Sequence, residues 1–495
     1  MRKKLLSILL VLSLMLALVP AAFAADEVWS SGTCGKEGDG SNITWTLYKS
    51  GLLTFTGTGA MRNYKSPVED GTPSPWAEHS GIRRIEIGEG VTAVGACAFT
   101  DCTEIASVQL PSTLTTLGDR CFAGCISLTS IELPHALMSV IGGAFANCLR
   151  LRSFSMAGGD NYDFAVRDGV LMTASGKGIV AYPAARPGIR YDVPDGVTGI
   201  ARYAFSGSGL MIVSLPTSLH SISDYAFSNC TRLMYIGIPA EMHYMAEQGV
   251  FEGDDQLKEV YYTGTWEQWR HMTQPCFRLL PAGATVYYET QMDVVTAADA
   301  FTDVSESSWS FPGIDFCYMM GYMSGVGGAY FSPTTTTTRA QVVQILYNFV
   351  GGPEVSGETP FTDLTANWYK NAVLWAYQNG VVVGTSATTF EPEKPVTREQ
   401  IAVMFMEFAA KVLDMHNIGE AADLSAFPDG DQVSSWAREA MADAVALGII
   451  NGTKAGNQVF LAPQGGATRE QVATILMGFY SGIDTALRVE EYLKK

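Results

Sequence analysis

The sequence is poor in the residue patterns that build disulfide frameworks and metal centres. Its cysteines number nine, an odd count, and none stands in a Cys-x-x-Cys pair. Its six histidines are scattered, and none belongs to a His-Glu-x-x-His motif. An odd cysteine count argues against a fully paired disulfide framework, and the histidine spacing supplies no ligand set for zinc. We therefore predict neither a metal nor another cofactor.

Positive charge is also scarce. The chain has 32 Lys and Arg residues against 50 Asp and Glu residues, which gives a formal net charge of −18 at pH 7. A strongly acidic chain is a poor partner for nucleic acid or for an anionic membrane surface. Any binding to an anionic polymer must therefore come from local cationic sites.

After its first residues the chain has no apolar run of the roughly 18 residues that a membrane span needs. The first residues themselves have a basic start, an apolar run over residues 5–18 and a small-x-small site at Ala22 and Ala24. This pattern predicts a secretory signal peptide over residues 1–24. The C-terminus carries neither a sortase-type motif nor a hydrophobic tail, so we expect another element to hold the exported chain at the cell surface.

Residues 82–150 repeat with a period of 23. Each copy has two alternating apolar residues, which predict a short strand with one buried face, and later a Phe before a recurring Cys. One coil cannot bury its apolar face alone, so such repeats stack and share a continuous core. The recurring residues are Ile85, Val108 and Ile131; Phe99, Phe122 and Phe145; and Cys102, Cys125 and Cys148.

This pattern resembles the BspA-like leucine-rich repeats of bacterial surface proteins, here over residues 81–290 with an insert at 157–190. The resemblance implies a β-rich solenoid that presents a surface to a protein or glycan. Residues 25–80 do not follow the period, and their short alternating segments joined by Gly predict a small N-terminal β-cap. We expect the recurring Phe and Cys side chains to lie in the core.

Roughly the last two hundred residues repeat a second template three times in matched register. Each copy has Phe-x-Asp, then Trp, an aromatic residue aligned as Phe331, Phe390 and Phe460, and finally Thr-Arg-x-Gln. The other repeated residues are Asp303, Asp363 and Asp429; Trp309, Trp368 and Trp436; and Arg339, Arg398 and Arg469.

Thr-x-x-Gln before an apolar helical run is a capping box, in which the Thr and Gln side chains satisfy backbone N–H groups reciprocally. It predicts a helix in each copy, and apolar spacings of three and four predict that the three helices form a common core. The predicted caps are Thr338 with Gln341, Thr397 with Gln400, and Thr468 with Gln471.

Each capping Thr is followed by an Arg in the first helical turn, where free N–H groups disfavour a cation. The placement makes sense if an anion occupies the site, because a guanidinium offers two parallel bonds to a carboxylate. Other interpretations stay open. The Arg could pair with the Asp of Phe-x-Asp, this Asp could be a cap or a ligand, and the Trp could stack on a sugar or pack in the core.

The template resembles the S-layer homology (SLH) module, with copies over residues 297–355, 358–415 and 424–484 and a tail over 485–495. The resemblance implies an all-α-type trimer of modules around a helical bundle, bound to a peptidoglycan-linked polysaccharide with ketal-pyruvate groups. It assigns polymer contact to the Arg, Trp and Asp of each copy. Gln replaces the Glu of the family's Thr-Arg-Ala-Glu, and Glu399 and Glu470 replace its Ala, which we expect to weaken anion binding in those two copies.

These features predict a mixed α/β multidomain protein that is secreted and held at a bacterial cell wall. Its three modules would bind the wall polysaccharide, and its solenoid would face an unknown extracellular protein or glycan. A structural component of an S-layer lattice is the second hypothesis, and a wall enzyme is the third. No nucleophile–base pair and no paired carboxylates stand above background, so we predict that the chain is not an enzyme.

Overall fold

The computed structural model describes residues 26–66, 71–77, 79–272, 280–293, 295–415 and 421–494, and the predicted signal peptide lies outside them. The chain divides into a first compact unit that ends at Ala181 and a second that begins at Tyr182. Within the described residues, no helix combines the length and the apolarity that crossing a membrane requires.

The first unit contains the cap and the first coils. Its strands are β1 Val28–Thr33, β2 Ile43–Tyr48, β3 Leu52–Gly57, β4 Gly59–Ala60, β5 Arg84–Ile87, β6 Val91–Val94, β7 Ser107–Gln109, β8 Thr116–Leu117, β9 Ser130–Leu133, β10 Ser139–Val140, β11 Ser153–Met156, β12 Phe164–Arg167, β13 Val170–Thr173 and β14 Gly178–Ala181. The cap strands β1, β2 and β3 pair antiparallel. Strand β3 then pairs in parallel with β5, which begins the parallel stack of the repeats.

The recurring Phe residues form a stacked column in the core of the first unit. The ring centroids of Phe99 and Phe122 are 5.2 Å apart, and those of Phe122 and Phe145 are 5.9 Å apart, with nearly parallel planes. Each later Cys thiol donates to a Phe carbonyl of an earlier coil, at 3.3 Å for Cys125 and 3.2 Å for Cys148. The recurring core positions are buried, except that Cys102 and Val108 are partly buried and pack against the core. The eight cysteines that the structure describes are all free thiols.

The insert after the third coil is an antiparallel sheet. Strands β12, β13 and β14 pair in sequence order, with an irregularity in the pairing of β13 with β14. This antiparallel pairing differs from the parallel pairing of the strands in the coils.

The second unit contains further coils and the three modules. Its strands are β15 Arg190–Asp192, β16 Gly199–Ile200, β17 Ile212–Ser214, β18 Ser221–Ile222, β19 Tyr235–Ile238, β20 Tyr244–Met245, β21 Glu259–Tyr262, β22 Thr285–Tyr288, β23 Thr453–Ala455 and β24 Gln458–Phe460. Its helices are α1 Trp266–Met272, α2 Ala297–Ala300, α3 Phe311–Met319, α4 Arg339–Phe349, α5 Asn367–Gln378, α6 Arg398–Val412, α7 Arg438–Ala446 and α8 Arg469–Lys494, with short 3-10 turns at Leu424–Ala426 and Gly430–Gln432. Parallel stacks run β15-β17-β19-β21-β22 and β16-β18-β20.

Each module packs a helix against a helix of the next module, and the three contacts close a ring. Helix α4 of the first module packs on α5 of the second, α6 of the second on α7 of the third, and α8 of the third on α3 of the first. Their apolar faces share one core, so the predicted helical trimer is confirmed, with the small antiparallel hairpin β23–β24 added to the third module. The segment predicted as a tail is part of α8, which runs for 26 residues to Lys494.

Candidate anion sites at the module junctions

The three Thr-Arg-x-Gln segments begin helices as the sequence predicts. In the first copy, Thr338 Oγ1 accepts the N–H of Gln341 at 3.4 Å, and Gln341 Oε1 accepts the N–H of Thr338 at 2.9 Å. The second copy forms the same reciprocal pair. In the third copy Gln471 Oε1 accepts the N–H of Thr468 at 3.0 Å, whereas the buried Oγ1 of Thr468 has no hydrogen-bond partner within the described part of the chain.

The residues just before these caps close a ring of backbone hydrogen bonds. The N–H of Thr337 donates to Ala467 O at 2.8 Å, the N–H of Ala467 to Val396 O at 3.2 Å, and the N–H of Val396 to Thr337 O at 3.0 Å. All three residues are fully buried. The ring therefore holds the three helix starts around one centre, and each helix start meets the following module.

Each first-turn Arg is buried at such a junction, with an exposed fraction of 5–6 %. Its Nε donates to a backbone carbonyl of the next module in the cycle. The three bonds are Arg339 to Phe390 O at 3.0 Å, Arg398 to Leu461 O at 2.7 Å and Arg469 to Phe331 O at 2.8 Å. A second donor, Nη2, reaches Val383 O from Arg339 and Ser324 O from Arg469.

Burial lowers the pKa of all three guanidinium groups. Nearby carboxylates of the neighbouring module oppose this effect. They are Glu391 and Asp363 beside Arg339, Asp429 beside Arg398, and Asp303 beside Arg469. Because an Arg stays protonated in proteins, each junction holds a largely desolvated cation.

The repeated Asp residues are caps of the turn that receives the Arg. Asp303 Oδ1 accepts the N–H of Phe331 at 2.8 Å, and its Oδ2 accepts the N–H of Ser332 at 2.7 Å. Asp363 and Asp429 bind the corresponding pairs of N–H groups. Of the two interpretations that the sequence left open for these residues, the capping bonds are observed, and contact with a ligand stays a prediction.

This geometry corrects the alignment of the third copy. Asp429 binds the N–H groups of Leu461 and Ala462, and Ala462 has a positive φ of 48°, as Ser332 does in the first copy with 59°. Leu461 is fully buried, so it is the equivalent of Phe331, whereas Phe460 was aligned there from the sequence. The hairpin β23–β24 ends at Phe460, and the alignment made from the sequence is displaced by one residue at this point.

The correction makes the three junctions chemically different. The guanidinium carbon of Arg339 lies 4.7 Å from the ring centroid of Phe390, and that of Arg469 lies 4.6 Å from the ring of Phe331. Such cation–π contacts contribute about 0.5–2 kcal/mol. Arg398 meets the aliphatic Leu461 at this position and has no ring there.

The three Trp residues are exposed to solvent, with exposed fractions of 63 % for Trp309, 51 % for Trp368 and 57 % for Trp436. Packing in the core, one of the two interpretations from the sequence, is therefore wrong. Hydrogen bonds join two of the segments that carry a Trp to the helix start of the preceding module. Glu470 accepts the hydroxyl of Ser310, next to Trp309. Glu399 accepts both the N–H and the hydroxyl of Ser434, near Trp436.

The carboxylates of Glu399 and Glu470 are hydrogen-bonded to serines of the next module, and the expected weakening of anion binding in these two copies stays a prediction. In the first copy the position is Ala340, which is fully buried. The sequence contains the Ser and Glu residues but no signal that pairs them, since the partners are 35 and 160 residues apart. Within the described residues, no group of three or more His, Cys, Asp or Glu could hold a metal ion.

Comparison with known families agrees with both repeat types. Six copies of the BspA type leucine rich repeat region match residues 76–162 and 189–280. The S-layer homology domain matches residues 300–343, 360–402 and 426–473. The chain carries BspA-type leucine-rich repeats and three S-layer homology domains. These domains indicate a cell-surface protein that is anchored at the cell wall.

Curated relatives match part of the chain. An endoglucanase of Bacillus sp. (strain KSM-635) is 32 % identical over 176 residues, which are 36 % of this chain and 18 % of the relative. A surface-layer 125 kDa protein of Lysinibacillus sphaericus is 32 % identical over 173 residues, 34 % of this chain and 14 % of the relative. This chain therefore spans under a fifth of the length of either relative, and the match to the endoglucanase lies in the SLH region.

Among solved structures, a leucine-rich repeat protein from Eubacterium ventriosum is 20 % identical and covers 52 % of this chain and 78 % of its own, with a TM-score of 0.36. The pneumococcal vaccine antigen PcpA is 15 % identical and covers 53 % of this chain and 89 % of its own, with a TM-score of 0.29.

Proposed function

We propose that the three module junctions bind anionic groups of a peptidoglycan-linked polysaccharide and so attach the chain non-covalently to the wall. The observation that carries this proposal is the buried guanidinium at every junction. At two of the junctions, hydrogen bonds also hold a segment with an exposed Trp at the same helix start. The nearby Asp carboxylate offsets part of the cost of burying each guanidinium, but every one of these Asp residues already binds two backbone N–H groups. A ligand anion would therefore stabilise the buried cation further. A ketal-pyruvate carboxylate supplies that charge and accepts two parallel N–H bonds.

Each repeated residue then has a distinct role. Arg339, Arg398 and Arg469 bind the carboxylate through guanidinium N–H groups that the backbone carbonyls do not occupy. Trp309, Trp368 and Trp436 stack on a sugar face, since an indole offers a large rigid surface at low entropic cost. Asp303, Asp363 and Asp429 are positioning residues, because they fix the turn whose carbonyl holds the Arg.

The leucine-rich repeats display a surface for an extracellular protein or glycan. Stacked coils create extended surfaces of the type that repeat proteins use for binding. The alternative, a component of an S-layer lattice, makes a different prediction: the purified chain would assemble into ordered arrays without any wall material.

A sedimentation assay with purified cell-wall sacculi tests the proposal. The mature full chain is compared with a variant in which Trp309, Trp368 and Trp436 are all Ala. The Trp residues are chosen because they are exposed, whereas each Arg also holds its junction together. We expect the wild type to sediment with native sacculi and to stay in solution once the polysaccharide is removed, and the variant to bind at least tenfold more weakly, since stacking contributes about 0.5–1.5 kcal/mol per site.

The matched control replaces Trp266, which is exposed by 52 % but lies on α1 in the repeats. This variant must bind like the wild type. Equal binding to sacculi with and without polysaccharide would refute the attachment mechanism. Sedimentation without any sacculi would favour the lattice.

A further inference from the structure

The end of α8 reaches beyond the third module and packs on the coils of the same unit. Arg488 is 8 % exposed, and its Nη1 donates to Gly207 O. The guanidinium carbon of Arg232, in the coils, lies 4.1 Å from the ring centroid of Tyr480. This contact joins two regions that the repeat patterns treat as independent.

A small open cavity lies at this contact. Its polar lining consists of Arg186 and Arg232 from the coils, and of Ser481, Asp484, Thr485 and Arg488 from α8. Three guanidinium groups against one carboxylate give the lining a formal charge of +2, within a chain whose net charge is −18. The cavity is therefore a local cationic site on an acidic protein.

The carboxylate in the cavity is already shared by two of the guanidinium groups. Asp484 Oδ1 pairs with Arg232 Nε, and Asp484 Oδ2 accepts from Arg488 Nε at 2.8 Å. Asp484 is the one carboxylate in the lining, so the lining as a whole has a formal excess of positive charge. Neighbouring like charges at low dielectric repel strongly.

A glycine keeps the cavity open beside these groups. A Cβ placed on Gly209 would lie 3.1 Å from Arg488 Nη2 and 3.5 Å from Asp484 Oδ2. Any larger side chain would therefore occupy the space in front of the guanidinium. The backbone of Gly209 does not require glycine for a positive φ, so the open space is the feature that distinguishes this position.

We propose that this cavity binds a small oxyanion, a phosphate or carboxylate group, between the coils and α8. An oxyanion offers several acceptors to guanidinium groups in the geometry that they favour, and the hydroxyls of Ser481 and Thr485 donate further bonds. The site is separate from the module junctions, and it uses none of their residues. The bound anion would neutralise the excess charge and tie α8 to the coils.

Equilibrium dialysis of the mature full chain with radiolabelled inorganic phosphate, at fixed ionic strength in chloride, tests the proposal. We expect saturable binding at a site whose affinity falls at least about tenfold in Arg186→Gln, because the variant loses a charge-assisted hydrogen bond to the anion. Arg186 also stacks near Tyr191, with 5.4 Å from its guanidinium carbon to the ring centroid. Gly209→Ala therefore serves as a second variant, which keeps every charge and fills the space.

Two control variants make the result specific. Arg167→Gln removes a surface Arg of the first unit, whose side chain is 57 % exposed, and must leave phosphate binding unchanged. A variant with Trp309, Trp368 and Trp436 all Ala must bind phosphate normally even if it loses the wall, which separates this site from the proposed attachment. Unchanged phosphate binding in both Arg186→Gln and Gly209→Ala, or no phosphate binding by the wild type, would overturn the proposal.

Competition then distinguishes the two sources of the anion. Displacement of phosphate by purified wall polysaccharide would support a group carried on that polymer. Phosphate binding that the polysaccharide leaves unchanged would support a free anion as the ligand of the same cavity.

Discussion

Asp254 is predicted to make the coils of the second unit less stable as the pH rises. Its side chain is fully buried, and Oδ1 accepts the N–H of Cys230 at 2.7 Å. The other oxygen, Oδ2, has no hydrogen-bond partner among the described residues. Burial raises the pKa of Asp254 to about 8, against the opposing effect of the bond from Cys230. Asp254 occupies the position in its coil that Cys230 occupies in the preceding coil. A carboxyl group therefore lies in the core where the preceding coil has a thiol.

The sign and the size follow from proton linkage. An unfolded Asp ionises near pH 3.9, so the folded state holds the proton more tightly than the unfolded state does. The stabilisation that the protonated carboxyl gives the folded state is complete below about pH 4 and is lost as the pH rises towards about 8. Above that pH, this group changes the free energy of unfolding no further. At about 1.4 kcal/mol per pH unit, the free energy of unfolding falls by about 5–6 kcal/mol across this window.

The test is thermal unfolding of the wild type and of Asp254→Asn between pH 5 and pH 9. The amide keeps the acceptor for Cys230 but cannot ionise, so the variant lacks this part of the pH dependence. We expect its Tm, relative to wild type, to rise by about 10 °C from pH 5 to pH 9. Comparing the two proteins at each pH cancels the other titrating groups and any constant cost of the amide.

Asp255→Asn is the matched control, because Asp255 is an exposed neighbour. It raises the pKa of Asp254 only as a secondary effect, so its variant should keep most of the wild-type pH dependence. Parallel curves of Tm against pH for Asp254→Asn and wild type would refute the reasoning.

Three further predictions concern folding. Arg488→Met should lower the free energy of unfolding of the second unit by about 3–5 kcal/mol in chemical denaturation, since it leaves Asp484 buried with fewer partners. Lys494→Met, which removes an exposed ion pair, should lower it by under about 1 kcal/mol. Equal losses in the two variants would contradict this. Asp303→Ala should cost about 1–3 kcal/mol, because it leaves two backbone N–H groups unbonded, and a neutral result in thermal unfolding would contradict the cap role. Burial raises the pKa of the Cys125 thiol well above its usual value, so iodoacetamide at pH 8 should alkylate it only after denaturation, as mass spectrometry can check.

Local and periodic features of this chain could be predicted from its sequence. The 23-residue period predicts the Phe column, because each coil repeats the same spacing and must stack on a like neighbour. The Thr-x-x-Gln segments predict helix starts, because both capping partners lie within four residues of each other. Both signals lie within a short segment or repeat at a fixed spacing, so they can be recognised without knowledge of the tertiary structure.

The junctions could not be predicted in the same way. Each Arg meets the next module in a closed cycle, and the cycle arises from three-dimensional packing between segments 51, 63 and 138 residues apart. The shift from Phe460 to Leu461 has a similar cause, since the hairpin β23–β24 displaces the aligned aromatic by one residue. The cavity beside Gly209 joins residues of α8 to coils that are more than 200 positions away, and neither repeat pattern contains that pairing.

Recognition of a carboxylate at the junctions is the central claim, and calorimetry with the purified wall polysaccharide tests it most directly. The mature full chain is titrated with the polysaccharide before and after mild acid removal of its ketal-pyruvate groups. Loss of a charge-assisted bidentate bond should weaken the affinity at least about tenfold, and added salt should weaken the binding of the intact polymer more than that of the treated one. Equal affinity for the two forms would contradict carboxylate recognition by Arg339, Arg398 and Arg469.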